Sequence, residues 1–128
     1  MKKTINTDKA PKAIGPYNQA VIAEKMVFTS GQIPIDPATE EFVKGDIKLQ
    51  THQVMKNLQS VLKACGTDFS NVVKTTIYLN DINNFNQVNK VYATYFSSDK
   101  QQPSRSVVQA AALPKGAKIE IDMIAVIS

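Results

Sequence analysis

Apolar residues recur at Ile47, Val54, Met55, Leu58, Val61, Leu62 and Cys65, while Lys48, Gln53, Lys56, Asn57 and Lys63 fall on the opposite side. That spacing predicts an amphipathic helix, opened by Asp46 as a cap and stopped by Gly66. A second stripe, Phe85, Val88, Tyr92, Tyr95 and Phe96, predicts a helix started by Asp81 or Asn83, with Asn89 bordering the stripe. Residues 17–23, 26–33, 72–79, 105–111 and 119–127 are short runs rich in branched apolar residues and read as strands. Glu24-Lys25 fits a tight hairpin between the first two, and Ser30-Gly31 inside the second marks a bulge or a close approach of the backbone to something. Residues 1–16 read as an extended arm, residues 36–40 as a turn, residues 41–45 as a short edge strand or loop, residues 99–103 as a polar loop, and residues 113–116 as a turn.

The order is strand, strand, helix, strand, helix, strand, strand. It predicts an α+β domain over residues 1–128, a mixed sheet with two helices packed on one face. The last strand adds a hint about assembly. Ile119, Ile121, Met123, Ala125 and Ile127 can lie under the helices, but the other face carries Glu120, Asp122, Ile124 and Val126. A solvated face should be polar throughout, and two helices cannot cover both sides. Other copies of the chain are the expected cover.

Composition narrows the chemistry. Cys65 is the only cysteine and His52 the only histidine, which removes an internal disulfide and a metal site built on several Cys or His ligands. Cys65 reads as a buried small hydrophobe and His52 as a helix-surface residue. No apolar run approaches a membrane span, and the N-terminus lacks an apolar stretch behind its lysines, so a cytoplasmic protein is expected. The formal charge is +4, compatible with nucleic acid, an anionic substrate or plain solubility. Of fifteen cationic residues, Arg105 alone is arginine. Lysine is a solvated point charge, whereas arginine offers a planar fork for two-point grip of a carboxylate. Arg105 is therefore either such a grip or half of a structural ion pair.

Glu120 stands between two isoleucines on the mixed face. Partial desolvation there raises a carboxyl pKa and suits proton transfer; a surface glutamate or a pair with Lys118 or Arg105 is the alternative. If the turn at residues 113–116 joins two antiparallel strands, Arg105 and Glu120 come close, in one subunit or across an interface. No phosphate-binding glycine loop or nucleophile elbow is present. The residues alone support a site for a small organic acid.

Three groups of motifs carry a resemblance. Residues 103–108 (Pro-Ser-Arg-Ser-Val-Val), 112–116 (Ala-Leu-Pro-Lys-Gly) and 119–121 (Ile-Glu-Ile) form the C-terminal group; residues 13–17 (Ala-Ile-Gly-Pro-Tyr) and 29–34 (Thr-Ser-Gly-Gln-Ile-Pro) the N-terminal one; residues 80–89, with Phe85, Val88 and Asn89, the middle one. Together the chain resembles the RidA (YjgF-like) family in one register over nearly its whole length. The resemblance implies a chorismate-mutase-like α+β fold and a homotrimer whose sheets line a central β-barrel, with three clefts between subunits. It implies hydrolysis of reactive 2-imino acids, or their enamine tautomers, to 2-keto acids and ammonia, with no cofactor and no metal. By position, Arg105 should grip the substrate carboxylate and Glu120 should hold and help activate water. Tyr17, Ser30, Gly31 and Asn89 match residues lining the cleft, and Gly31 would let the ligand approach the backbone. Many members have cysteine where this chain has Val107; backbone groups can still serve there, and imine hydrolysis needs no thiolate.

Three rivals stand beside this reading. One is an RNA-binding or endoribonuclease-like translation inhibitor, weakened by the single arginine and the lack of an aromatic-basic stripe. Another is a non-catalytic, small-acid-sensing or chaperone-like trimer. The third is an unrelated deaminase or isomerase on the same interface.

Overall fold

The longest helix starts where Asp46 turns its carboxylate onto the backbone N–H of Leu49, at 2.9 Å. Such a cap is worth about 1 kcal/mol. The computed structural model describes residues 2–96 and 102–127; the polar loop expected over residues 99–103 lies mostly outside them. In chain order the strands are β1 (Lys2–Ile5), β2 (Ala20–Ala23), β3 (Met26–Thr29), β4 (Ile35–Asp36), β5 (Glu41–Phe42), β6 (Val72–Leu79), β7 (Ser104–Gln109) and β8 (Ile119–Val126), and the helices are α1 (Ile47–Ala64) and α2 (Phe85–Ala93).

Six strands form one mixed sheet in the order β1-β2-β3-β8-β6-β7, parallel only between β6 and β7; β4 and β5 form a separate small ribbon. The α+β architecture is as the sequence pattern predicts. Val54, Met55, Leu58, Val61 and Leu62 of α1 are buried with Ile119, Ile121, Met123 and Ala125 of β8, together with Ile77 and Leu79 of β6 and Val88 and Tyr92 of α2. Each fully buried aliphatic side chain contributes about 1.5–3 kcal/mol. Cys65 lies in this core, and burial pushes its thiol pKa up, with nearby Lys3 partly offsetting. No described helix is long and apolar enough to cross a membrane.

Four expectations are revised. The N-terminal arm is partly a strand, because Lys2–Ile5 pairs with β2 in antiparallel register. The rest of the arm is tied down by Gln19, whose buried side chain donates to the carbonyls of Thr7, Ala10 and Pro11 and accepts from the Thr7 N–H. His52 is half-buried rather than a surface residue: its Nδ1 shares a 2.9 Å hydrogen bond with the Tyr95 hydroxyl. The second helix begins later than expected, after a tight turn at Ile82–Asn84 capped by the Asp81 carboxylate.

The fourth revision matters most for the site. Strands β7 and β8 are not neighbours. Helix α2 carries the chain from the end of β6 back to its start, so β7 adds in parallel at the outer edge. β8 inserts centrally between β3 and β6. Composition accounts for this: β8 alternates buried apolar residues, whereas Ser104, Arg105, Ser106 and Gln109 of β7 tolerate an exposed edge.

Pairing between β3 and β8 is regular from Met26 opposite Val126 to Phe28 opposite Ile124, and resumes with Gln32 opposite Ile121. Four steps on one strand match three on the other, so Ser30-Gly31 forms a bulge. The Thr29 hydroxyl accepts the Met123 N–H at 3.0 Å within the gap.

The sheet face turned away from the helices holds Val21, Phe28, Ile124 and Val126 beside Glu120, Asp122, Thr76 and Tyr78. Phe28 and Val108 remain 42% and 45% exposed there, well above what a core residue shows. Among the described residues, both α-helices pack on the opposite face and none covers this one.

Candidate active site

Arg105 pairs with Thr75 across β6 and β7, and Thr75 points into the helix side of the sheet. The arginine side chain therefore rises along the flank of α2. Phe85, Asn89 and Tyr92 are four and three residues apart on that helix, so they share one flank. The guanidinium carbon of Arg105 lies 5.3 Å from the Phe85 ring centroid and 5.2 Å from that of Tyr92. One terminal nitrogen donates to Asn89 Oδ1 at 2.8 Å. Arg105 is solvent-accessible but held at three points. The ion pair found among the described residues is Lys12–Glu40, so no described carboxylate neutralises the fork. It borders a concavity of about 460 Å³ shared with Asn89, Tyr92, Ala93, Gln102 and Pro103.

Val107 faces the same side two residues on, half-buried against the core opposite Ile77. Its side chain packs inward, and among the described residues the outer backbone edge of β7 has no strand partner.

Glu120 stands elsewhere. It pairs with Tyr78 on the open face, and burial, then the charge of Asp122, raises its carboxyl pKa above the ordinary range. Burial likewise raises Asp122, opposed by a hydrogen bond from Tyr78 and the charge of Lys74. The Glu120 carboxylate lies directly against Gly31: a Cβ added there would collide with Oε2 and sit 2.8 Å from Cδ. The space that a side chain at residue 31 would need is thus occupied by Glu120. Ser30 donates its hydroxyl to the Asn18 carbonyl at 2.6 Å. Tyr17, in the loop just before, is 50% exposed and borders a second concavity with Asn6, Thr7, Asp8, Lys12, Ala13 and Gln19.

The residues singled out from sequence therefore fall into two groups. Arg105, Asn89 and Val107 occupy the β7 edge on the helix side. Ser30, Gly31 and Glu120 meet at the bulge, with Tyr17 on the loop leading into β2. Three residues along the strands and two strand spacings separate Arg105 from Glu120, roughly 14 Å, and the two side chains project from opposite faces. The expected approach of Arg105 to Glu120 within one hairpin does not occur. Phe85 and Tyr92, which the sequence reading places in the apolar stripe of the second helix and names in no site role, stand against Arg105; the i, i+4, i+7 spacing around Asn89 is the available signal. Among the described residues, no three His, Cys, Asp or Glu side chains gather as a metal site would require.

The Gly31 contact gives a direct test. Gly31→Ala is expected to leave the fold intact and to displace the Glu120 side chain, because a flexible carboxylate is what must move. A thermal melt checks the first effect and the NMR shift of the Glu120 carboxyl carbon the second.

These features describe an α+β domain that displays, at a sheet edge, one bracketed arginine with no described carboxylate partner, and a partly buried carboxylate on the opposite face. The sequence profile of the family described as Endoribonuclease L-PSP matches residues 7–127, and the chain belongs to this family, the RidA (YjgF-like) proteins. It is 55% identical over 127 residues to protein DfrA of Myxococcus xanthus, covering 98% of this chain and 95% of that protein. It is 48% identical over 126 residues to the human 2-iminobutanoate/2-iminopropanoate deaminase, covering 98% and 90% respectively. Among solved structures, a Rid-family protein from Yersinia pestis superposes with a TM-score of 0.96 at 49% identity, covering 99% of this chain and all of that one.

Proposed function

We propose that this chain hydrolyses 2-imino acids such as 2-iminobutanoate and 2-iminopropanoate, and their enamine tautomers, to 2-keto acids and ammonia. The observation that carries the reading is the Arg105 fork, fixed by α2 and left without a described carboxylate partner. A 2-imino acid supplies a carboxylate of matching geometry. The human relative's activity, at 48% identity, supports the same assignment.

We further propose that the working unit is a homotrimer with clefts between chains. Arg105 and Glu120 cannot meet within one chain, and the open sheet face holds exposed apolar residues that a second copy would cover. In such a cleft, Arg105 of one chain holds the substrate carboxylate and Glu120 of its neighbour holds a water within ~3–3.5 Å of the imine carbon. Glu120 takes a proton as the water oxygen bonds to that carbon, and the C=N electron pair moves to nitrogen. With a protonated imine this gives a neutral carbinolamine; Glu120 returns its proton to the nitrogen, and as the C–N bond breaks to release ammonia the hydroxyl proton passes back to Glu120 and the C=O forms. The imine carbon is already electrophilic, so no covalent nucleophile is needed.

As the base, Glu120 works only when charged. Burial and Asp122 hold its pKa above the usual carboxylate value, so the rate should fall on acidification through a pH above that of an exposed glutamate. Glu120→Gln should slow turnover, erase this acid limb and largely preserve keto-acid binding. The activity itself is tested by generating 2-iminobutanoate from threonine with a dehydratase in the presence of semicarbazide. Diversion of trapped imine to keto acid supports the proposal; unchanged trapping at high protein concentration rejects it.

RNA cleavage is the reading that the family description invites. A histidine-based cleavage site has no support here, since the single histidine, His52, is hydrogen-bonded to Tyr95 and lines neither concavity that holds the candidate residues. Steep salt dependence of RNA binding would revive it.

A further inference from the structure

The bracket around Arg105 has a defined construction. Tyr92 is buried, its hydroxyl donating to Thr75 Oγ1 at 3.0 Å and its ring packed 4.8 Å from that of Phe96. Thr75 is the strand partner of Arg105. The strand that carries the arginine and the ring against which it rests are therefore anchored on one threonine. Phe85, one helical turn before Asn89 and half-buried against the core, supplies the second ring. Asn89 occupies one terminal nitrogen. A guanidinium in contact with aromatic faces loses rotational freedom about its Nε–Cζ bond, and a fork already oriented binds a planar carboxylate without having to be ordered first.

We propose that Phe85 and Tyr92 are positioning residues that set the plane of the Arg105 guanidinium, so that its face is taken by the rings and the edge that no described residue occupies is presented to a small carboxylate. The inference rests on the functional reading above for the identity of the carboxylate, but the bracket can be observed without turnover.

The sole arginine makes this measurable. In the ¹⁵N-labelled full chain, Arg105 gives the one arginine Nε–Hε resonance. Its terminal NH groups should exchange slowly, as expected for hindered rotation. Phe85→Leu should release that rotation, weaken pyruvate binding about five- to tenfold and raise KM similarly with little change in kcat. Phe85→Tyr, which keeps the ring, should restore both signals. Tyr92→Phe keeps the ring but loses its hydroxyl anchor on Thr75, and should fall between the wild type and Phe85→Leu in both signals. Free guanidinium rotation in the unmodified protein would overturn the proposal, a result independent of whether any variant folds. So would wild-type rotation and pyruvate affinity in Phe85→Leu. A bracketed, pyruvate-binding chain that leaves imines untouched would sink the hydrolase reading and leave the bracket standing; rapid imine turnover with a freely rotating guanidinium would do the reverse.

Discussion

Arg105→Ala is expected to lower imine hydrolysis by at least about 100-fold, equivalent to about 2.7 kcal/mol of transition-state stabilisation. Two charge-assisted hydrogen bonds to the substrate carboxylate disappear, and no second arginine exists to replace them. The melting temperature should move by only a few degrees, because the side chain is solvent-accessible and its loss strands no buried charge. Arg105→Lys keeps the charge but not the fork, and should fall between the two in activity. The coupled dehydratase assay reads the rate, and calorimetry reads the stability. Wild-type turnover in the alanine variant would remove Arg105 from the mechanism.

The second large effect concerns mixing. Arg105→Ala and Glu120→Gln should each be nearly inactive as pure preparations. Dissociated and reassembled together, they should regain activity, because a cleft that takes its arginine from one variant and its glutamate from the other is complete. With random assortment of equal amounts, about a quarter of clefts are of this kind, which sets the ceiling for recovery. The basis is the sheet register: Arg105 lies opposite Thr75 on the helix side and Glu120 opposite Tyr78 on the other. A double variant mixed with wild type serves as the comparison. Failure to recover any activity, with subunit exchange verified by mass spectrometry, would place both groups in one chain's site or remove one from catalysis.

Much of the fold could be read from periodicity, because long amphipathic segments record their environment at every turn. Asp46, the α1 stripe and Gly66 marked one helix at both ends, and the alternation in β8 correctly assigned its buried face. Strand neighbours were not readable in this way. The turn at residues 113–116 resembles a hairpin, yet β7 and β8 enter the sheet two places apart, since pairing is set by which strand can bear an exposed edge. β1 was missed because Lys2, Lys3 and Thr4 carry no apolar alternation; its pairing with β2 comes from the backbone. At the site, residue types indicated Arg105 and Glu120 but not the distance between them. The resemblance matches Asn89 to a cleft position, but no residue pattern shows that its amide oxygen accepts from Arg105. The aromatic bracket was hidden because rings at helical spacing look the same whether they fill a core or flank a cation.

The bulge at Ser30-Gly31 has one more consequence. Along β3 the even-numbered residues look away from the helices as far as Phe28, but Gln32, also even, is buried opposite Ile121. The extra residue works as a phase shifter that inverts the odd-even code of the strand. Deleting a single residue here would put the strand back in step, swing the Gln32 amide to the outer surface and carry Gly31 away from Glu120. Chain length in this segment is thus as much a part of the site as residue identity.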